Sequence, residues 1–338
     1  MTEKTELELK VSVALKEFVE TNRPSNKVKP NLSAVTTAIS ELPLTKLEYW
    51  ERYIRDEYDN ALASGHSNKW AFWQKNTPPV TLLDLCSWDG FRREKALRAI
   101  GQTVLNRFFL ALVLRRLNDW VPQVRQAAQG ILSKVLVNSE PSYVADAIFF
   151  TLSHWSSWKR VDDSNRNTLL NTLSNREITN HLKMKLLYSS SGPLVLVMSE
   201  IGRTCFLDSS LEVIAVKAIQ PSLRAKAYRS LFEGKSSWFA GREWEWTDRR
   251  YGEGRRKALV ATRILTIKIQ RLPTLLLAAN DRSSLVRRVA AEMLIKELDN
   301  LSDNESLGLA KKFSNDPSIA VAERGNFALK KLAGGTLF

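Results

Sequence analysis

Residues able to carry out catalysis are sparse in this chain, and their spacing matches no common active site. The three histidines, His66, His154 and His181, form no HExxH motif and no paired His-Glu motif that would hold iron or zinc. Cys86 and Cys205 lie far apart, lack CxxC spacing and have no histidine near them in sequence. No P-loop and no GxSxG motif occurs. The sequence therefore predicts no metal, no cofactor and no nucleophilic catalysis.

The stretch best suited to binding runs from Ser236 to Arg271, where aromatic and basic residues are interleaved. Arginine forks grip phosphates and stack on bases, and indole rings give stacking surfaces that accept any base. Glu243, Glu245, Asp248 and Glu253 lie among them and would repel phosphate. The alternative is a long loop between helices whose tryptophans pack on the protein and whose arginines pair with those acids. The candidate binding residues are Arg242, Trp244, Trp246, Arg249, Arg250, Tyr251, Arg255, Arg256, Lys257 and Arg263.

Net charge is the strongest global signal. Fifty Lys and Arg against 36 Asp and Glu leave a formal charge of +14, which favours encounter with nucleic acid, an acidic protein or anionic lipid. The longest apolar run, Phe108 to Leu114, is too short to cross a bilayer, and the first residues have no apolar segment typical of a signal peptide. Together with the sparse cysteines, these features predict a cytoplasmic protein that binds nucleic acid or an acidic protein and no membrane.

A short pattern recurs along the chain and predicts stacked helix pairs. An aspartate is followed at fixed offsets by an apolar β-branched residue, an arginine, an alanine and a leucine. Two copies are clear. A third begins at Asp316 and has Gly325 in the alanine position. Fainter copies cover Gly90 to Ile100, Leu223 to Leu231 and Arg255 to Ala258. The clear copies are Asp119, Val124, Arg125, Ala128, Leu132 and Asp281, Val286, Arg287, Ala290, Leu294. A unit this short cannot bury its apolar face alone, so neighbours must stack in a row.

This D-x4-V-R-x2-A-x3-L pattern resembles HEAT or HEAT-like repeats. The resemblance implies an all-α fold, a curved, right-handed HEAT-like α-solenoid with a concave inner surface for binding. Residues 1–80 lack the pattern and are expected to form an irregular helical N-terminal cap, and residues 81–338 the repeat solenoid, with unclear register at 135–215. Within a repeat, each aspartate is placed to cap the following helix. Arg125 and Arg287 are expected to bond the neighbouring repeat's aspartate or a helix end.

Outside the repeat pattern, apolar spacing predicts further helices. The run from Leu265 to Gln270 alternates like a strand, but a helix end before Pro273 is favoured. Polar or aromatic connectors are expected at Asn22 to Leu32 and Gly65 to Pro79. The helices predicted from spacing are Lys4 to Thr21, Ser33 to Ile39, Leu44 to Leu62, Ser142 to Ser153, Arg166 to Leu173, Ile178 to Tyr188 and Pro193 to Ile201.

One enzymatic alternative follows from a second resemblance. Asp119-Trp120, followed by Arg125, is similar to the acid-aromatic-arginine helix start of AlkD-type DNA glycosylases, which act on alkylated bases and use a carboxylate near the lesion sugar. Trp158 with Asp162 is another such pair. The family's aromatic-x-Arg-Arg spacing is not reproduced here, and Asp119 as an ordinary helix cap is the favoured interpretation.

Three functions therefore stand as expectations. The favoured one is a non-enzymatic binding scaffold whose basic, aromatic-rich surface holds nucleic acid or an acidic partner. The second is a glycosylase that uses Asp119 or Asp162. The third is a protein-only adaptor or inhibitor, because tryptophan and arginine also dominate interfaces between proteins.

Overall fold

A computed structural model of the chain describes residues 3–22, 32–64, 80–101 and 105–334. Within these residues the chain forms sixteen α-helices and one two-stranded antiparallel sheet. The prediction of a helical fold is therefore confirmed, and the sheet is a departure from the expected all-α architecture. The aromatic-rich connector predicted at Gly65 to Pro79 lies outside the described residues, as does nearly all of the connector from Asn22 to Leu32.

The chain divides into two compact units, Met1–His181 and Leu182–Phe338. The boundary predicted at residue 80 adjoins undescribed residues, and that division stays a prediction. In the first unit the apolar run of α5 is fully buried, because α5 packs against α6 and α7. The helices of the first unit are α1 (Glu3–Thr21), α2 (Ser33–Ser40), α3 (Leu47–Ser64), α4 (Gly90–Ala99), α5 (Arg107–Arg116), α6 (Pro122–Asn138), α7 (Pro141–His154) and α8 (Asp163–Asn171).

Helices of the second unit pack as pairs of sequence neighbours, and the second members of successive pairs touch one another. α11 pairs with α12, α13 with α14 and α15 with α16, while α14 lies against both α12 and α16. α9 (Arg176–Tyr188) contains the boundary between the units. The other elements are α10 (Leu194–Ile201), α11 (Leu211–Lys217), α12 (Pro221–Glu233), β1 (Lys235–Asp248), β2 (Glu253–Ile264), α13 (Arg271–Ala279), α14 (Ser284–Glu297), α15 (Asp303–Ser314) and α16 (Ile319–Leu332).

Three arginines make the same set of contacts between helices that pack side by side. Each donates from Nε and one terminal nitrogen to both oxygens of an aspartate that precedes the partner helix, at 2.6–2.9 Å. The third nitrogen donates to a carbonyl oxygen six residues earlier in its own chain segment, at 2.8–3.0 Å. Such forked pairs fix orientation as well as distance. The pairs are Arg93 with Asp119 (α4 to α6), Arg224 with Asp281 (α12 to α14) and Arg287 with Asp316 (α14 to α16).

The contacts predicted for the repeat arginines are confirmed. Arg287 bonds the aspartate of the next helix pair, and Arg125 donates to the carbonyl oxygens of Asp119 and Trp120 at the start of its own helix, at 2.8 and 3.3 Å. The fainter repeat copy at Arg224 carries the same contacts. These contacts connect the sequence pattern directly to the packing of helix on helix.

The capping role predicted for the repeat aspartates needs correction. Asp119 accepts from the N–H of Val121 at 3.0 Å, and Asp316 accepts from the N–H of Ser318 at 2.9 Å. Val121 and Ser318 each stand just before the first helical residue. Each aspartate thus accepts from the amide of the N-cap residue and not from an amide of the first helical turn. The aspartate therefore orders the turn that leads into the helix, and its main partner is the arginine.

The hairpin of β1 and β2 is inserted into this regular arrangement. Arg224 and Asp281 are 57 residues apart, against 26 and 29 residues for the other two pairs. The residues of the hairpin, which stands between α12 and α13, account for the excess. The same forked contact forms on both sides of the insertion. The helical packing is therefore complete without the hairpin.

Several predictions for residues 236–271 are wrong, because the segment is not a loop between helices. Aromatic and β-branched residues favour an extended chain, and Gly252, at φ +69°, supplies the reversal. Arg255 and Ala258 lie on a strand and are no repeat copy. Leu265 to Gln270 is neither strand nor helix end. Pro273 lies in the first turn of α13, where a missing N–H costs nothing.

The helices predicted from apolar spacing are present. α1, α2, α7, α8, α9 and α10 agree with the predicted ranges to within a few residues, and the range from Leu44 opens with a short 3-10 turn before α3. None of the described helices combines the length and apolar character that a membrane-spanning helix requires.

The arginine–aspartate pairs predict how stability depends on pH. The hydrogen bond from Arg287 lowers the pKa of Asp316 below its ordinary value. The folded-state pKa is thus below the unfolded value of about 3.9, so this contribution is complete above that pH and is lost as the pH falls through the folded pKa. We expect Asp316→Asn to be less stable than the parent at neutral pH and to lose less stability than the parent between about pH 4 and pH 2.

Urea unfolding at several pH values measures this effect. Glu323→Gln is the matched control, since it removes an exposed carboxylate from α16, the helix that Asp316 precedes. The control should keep the parent's pH dependence. If Asp316→Asn kept it too, the carboxylate would not be linked to folding in the way described.

Candidate functional site

The root of the hairpin is held by buried and half-buried polar contacts. The guanidinium of Arg263 donates to both oxygens of Asp208, at 2.6 and 2.8 Å, and to the carbonyl of Gly202 at 2.7 Å. Burial would raise the pKa of Asp208, but the bonds from Arg263 and Thr266 outweigh it and hold that pKa below its ordinary value. Arg263 was predicted to bind a ligand. In the structure its guanidinium is engaged by Asp208 and Gly202, so it anchors the hairpin instead.

Two further side chains hold the other strand of the root. Lys226 on α12 donates to the carbonyl and the hydroxyl of Ser237, at 3.0 and 2.6 Å. Arg203 lies over the ring of Trp238 and donates to the carbonyl of Phe239 at 3.2 Å. From Phe239 to the tip and back to Val260 no residue of the hairpin is buried. The outer part of the hairpin thus extends away from its anchors into solvent.

The strand register sorts the side chains of the hairpin onto two faces. Paired residues of antiparallel strands point to the same side, and successive residues alternate. Bulges at positions 240 and 247 shift the register of β1 against β2. One side, which we call the aromatic face, carries Lys235, Ser237, Phe239, Arg242, Trp244, Trp246, Gly254, Arg256, Ala258, Val260, Thr262 and Ile264. The other, which we call the ion-paired face, carries Ser236, Trp238, Gly241, Glu243, Glu245, Asp248, Glu253, Arg255, Lys257, Leu259, Ala261 and Arg263.

All four acids of the stretch lie on the ion-paired face. Glu245 accepts from Lys257 at 3.0 Å and from Arg255 at 2.8 Å. The pKa of Glu245 lies below its ordinary value because of the bond from Lys257 and then that from Arg255. Arg255 and Lys257 were predicted to bind a ligand, and in the structure each already has a carboxylate partner.

The aromatic face has no acidic side chain at all. Arg242 and Arg256 are exposed there and form no ion pair within the described residues. Trp244 and Trp246 are each half exposed, with ring centroids 5.6 Å apart and ring planes at 83°. The structure thus brings these four predicted residues together on one surface. It adds Phe239, which is 46% exposed and was not among the binding residues predicted from sequence.

The tip of the hairpin presents three more predicted residues. Asp248 accepts from the N–H groups of Arg250 and Tyr251, at 2.8 and 3.4 Å, and so shapes the turn. The side chains of Arg249, Arg250 and Tyr251 are exposed, Tyr251 at 82%. The tip therefore continues the basic and aromatic character of the aromatic face.

The two candidate catalytic carboxylates are engaged elsewhere. Asp119 lines a cavity of about 370 Å³ with Trp120 and Trp158, but its side chain is only 1% exposed and is held by Arg93 and Arg116. Burial would raise its pKa, yet the hydrogen bonds from Arg93, from a backbone N–H and from Arg116 outweigh this and lower it. Such a carboxylate is fixed as an ion-pair partner.

Asp162 caps α8, accepting from the N–H of Asn165 at 2.8 Å, and does not line that cavity. Among the described residues no group of three or more His, Cys, Asp or Glu side chains is placed to hold a metal ion.

Comparisons with protein-family models, with curated proteins and with solved structures find no match to this chain.

Proposed function

We propose that this chain is a non-enzymatic binding scaffold that holds nucleic acid on the aromatic face and tip of its hairpin. The observation that carries the proposal is the sorting of charge. Arg242 and Arg256 share a face with Trp244 and Trp246, and every acid of the hairpin is on the opposite side. Acids mixed with cations along the sequence would repel phosphate, and the strand register removes that objection.

The free cations give the proposal its electrostatic basis. An arginine already paired with a carboxylate must break that pair to bind phosphate, whereas an unpaired arginine only exchanges water for the anion. Arg242 and Arg256 are of the second kind, and so are Arg249 and Arg250 at the tip, which form no ion pair in the described part of the chain. The chain's net charge of +14 would draw a polyanion toward this surface.

The exposed apolar area supports a binding role as well. A two-stranded ribbon is at best marginally stable in water on its own. Phe239, Trp244, Trp246 and Val260 leave about half of their side chains in solvent, at 46–60%. The helical packing closes without the hairpin, so these residues are not needed by the core. A ligand that covers the aromatic face would remove them from water.

We further propose that the helix pairs are HEAT-like repeats and that they serve as the support of the hairpin. The forked pairs of Arg93, Arg224 and Arg287 support this, since each links a helix to the one stacked on it in the same way. A rigid support matters because a ribbon held at its root by Arg263 keeps its face at a fixed angle to the helices that carry it.

Charge reversal on one face at a time tests the binding proposal. We expect Arg242→Glu/Arg256→Glu to weaken binding of a labelled oligonucleotide of about 20 nucleotides at least about tenfold at roughly 50 mM salt. The slope of log affinity against log salt should become shallower by about 1.4 for a single strand, since two phosphate contacts are lost. Fluorescence anisotropy over a salt series gives both quantities.

Arg255→Glu/Lys257→Glu is the matched control, because it reverses the same amount of charge on the ion-paired face of the same hairpin. It should change affinity much less. Equal loss in both variants would contradict the assignment to the aromatic face. Failure of the parent protein to bind any single- or double-stranded DNA or RNA would overturn it altogether. Binding of polyglutamate instead, with the same dependence on Arg242 and Arg256, would replace nucleic acid by an acidic protein partner.

A further inference from the structure

We infer that the aromatic face binds the unstacked bases of a single strand in preference to a duplex, an inference that rests on the proposed nucleic-acid function. Trp244 and Trp246 are adjacent on that face, half exposed, and packed edge to face against each other. Neither indole takes part in the core of the unit. Two neighbouring rings of this kind are surfaces on which bases stack.

Gly254 determines how the ring of Trp244 is placed. A Cβ atom at position 254 would lie 2.5 Å from the indole ring, closer than two such atoms ever approach. The ring therefore lies against the bare backbone of β2, packed on one side by the strand and on another by Trp246. This support holds the indole in place before any ligand arrives, so less side-chain freedom is lost on binding.

Cations accompany the rings along the same face. Arg256 is the direct cross-strand partner of Trp244, and Arg242 precedes Trp244 by two residues on its own strand. A bound strand could therefore stack its bases on the rings while its phosphates meet the guanidinium groups. Arg249 and Arg250 extend the positive charge past Trp246 to the tip.

The state of the nucleic acid decides whether the rings are useful. In a duplex the bases stack on one another and present only their edges, so the hairpin could use its arginines but not its indole rings. In a single strand the base faces are free, and each base stacked on an aromatic side chain contributes about 1–3 kcal/mol. Charge alone would bind both forms, and the preference for a single strand would come from the rings.

The test compares single-stranded and duplex DNA of the same sequence. We expect Trp244→Ala/Trp246→Ala to weaken single-strand binding by about 10- to 100-fold, the loss of one or two stacked bases, with little change in the salt slope. Duplex binding should change less than about threefold. Trp244→Phe/Trp246→Phe should restore part of the loss, because phenyl rings also stack.

Two further variants sharpen the comparison. Gly254→Val keeps both indoles but displaces the ring of Trp244, and it should also weaken single-strand binding. Trp88→Ala removes a comparably exposed tryptophan of the other unit, 69% exposed, and should have no effect. Circular dichroism melts establish that each variant remains folded.

The outcomes separate this inference from the proposed function. If loss of the indoles weakened single-strand and duplex binding equally, or weakened neither of them, the single-strand inference would be overturned. An effect of Arg242→Glu/Arg256→Glu on binding would still leave the nucleic-acid proposal standing. Self-association of the parent that disappears in Trp244→Ala/Trp246→Ala, without binding of DNA or RNA in either form, would overturn both.

Discussion

Asp119→Ala is expected to lower the free energy of unfolding by about 3–5 kcal/mol, because removal of one partner leaves a buried charge unpaired. The side chains of Arg93 and Asp119 are 4% and 1% exposed. Without the carboxylate, the bonds that Arg93 keeps among the described residues are those to the carbonyl oxygens of Ser87 and Trp88. A loss of this size is a large fraction of the stability of an ordinary domain. Urea denaturation followed by circular dichroism measures it.

A double variant provides the control for this prediction. Arg93→Met/Asp119→Leu replaces the ion pair by apolar side chains and should be more stable than Asp119→Ala, because neither charge is left alone. Arg116, which also donates to Asp119, retains Glu51 as a partner. Together with Arg93→Met alone and Asp119→Leu alone, the double variant completes a cycle whose interaction energy should be on the order of 0.5–3 kcal/mol. Additive effects would show that the two side chains do not act as a pair.

The contacts of the recurring sequence pattern could be predicted because some are local and others join one copy of the pattern to the next. Arg287 bonds the carbonyl of Asp281, six residues earlier, and Arg125 bonds Asp119 in the same way. Such contacts depend only on how one helix begins. The fork from Arg287 to Asp316 then follows from the next copy of the same pattern. Even the degenerate copy at Arg224 could be placed, because its apolar and alanine positions survive.

The hairpin could not be placed from the repeat, because it interrupts it. Its strand signals were present: Trp244, Glu245 and Trp246 alternate with period two, and Gly252 allows a tight turn. Because a helical pattern stands on both sides of this segment, a loop was favoured for it. Strand formation depends on pairing with a second segment, and a helical context gives no information about that partner.

The sorting of charge onto two faces was beyond the sequence for a different reason. A shift of one residue in register moves every side chain to the opposite face. Alternation along β1 separates Glu243 and Glu245 from Trp244 and Trp246 in any register. The register decides that Arg256 joins the tryptophans, and the bulge at position 247 places Asp248 on the side of the two glutamates. Gly241, at φ +141°, lies beside the first bulge, whereas Thr247 at the second is not a residue type that marks a bulge. The anchoring role of Arg263 was hidden similarly, since its partner Asp208 is 55 residues away in sequence.

The carboxylates of the enzymatic alternative illustrate how similar residue pairs acquire different roles. Asp119 and Asp162 each lie near a tryptophan in sequence, and both precede a helix. One is buried between Arg93 and Arg116. The other is exposed and caps its helix. Burial and partners, which the sequence does not specify, separate an ion-pair residue from a simple cap, and both uses satisfy the carboxylate without any substrate.

Gly325→Ala is expected to lower the free energy of unfolding by about 1–3 kcal/mol or more, although alanine is the better helix former. Gly325 occupies the position that is Ala128 and Ala290 in the clear repeat copies. A Cβ atom there would lie 2.2 Å from the backbone nitrogen of Ser314, on the neighbouring helix α15. Backbone cannot yield as a flexible side chain would, so the two helices would have to separate. Thermal and urea denaturation both report this change.

Gly308→Ala, on α15 itself, is the matched control for Gly325→Ala. A Cβ atom at Gly308 would meet nothing within 4 Å, so only helix propensity changes, and stability should rise by about 0.5–1 kcal/mol. The same substitution is thus expected to act with opposite sign on two glycines of one helix pair. If both variants gained stability, α15 and α16 would not be in close backbone contact, and the packing described for this helix pair would be wrong.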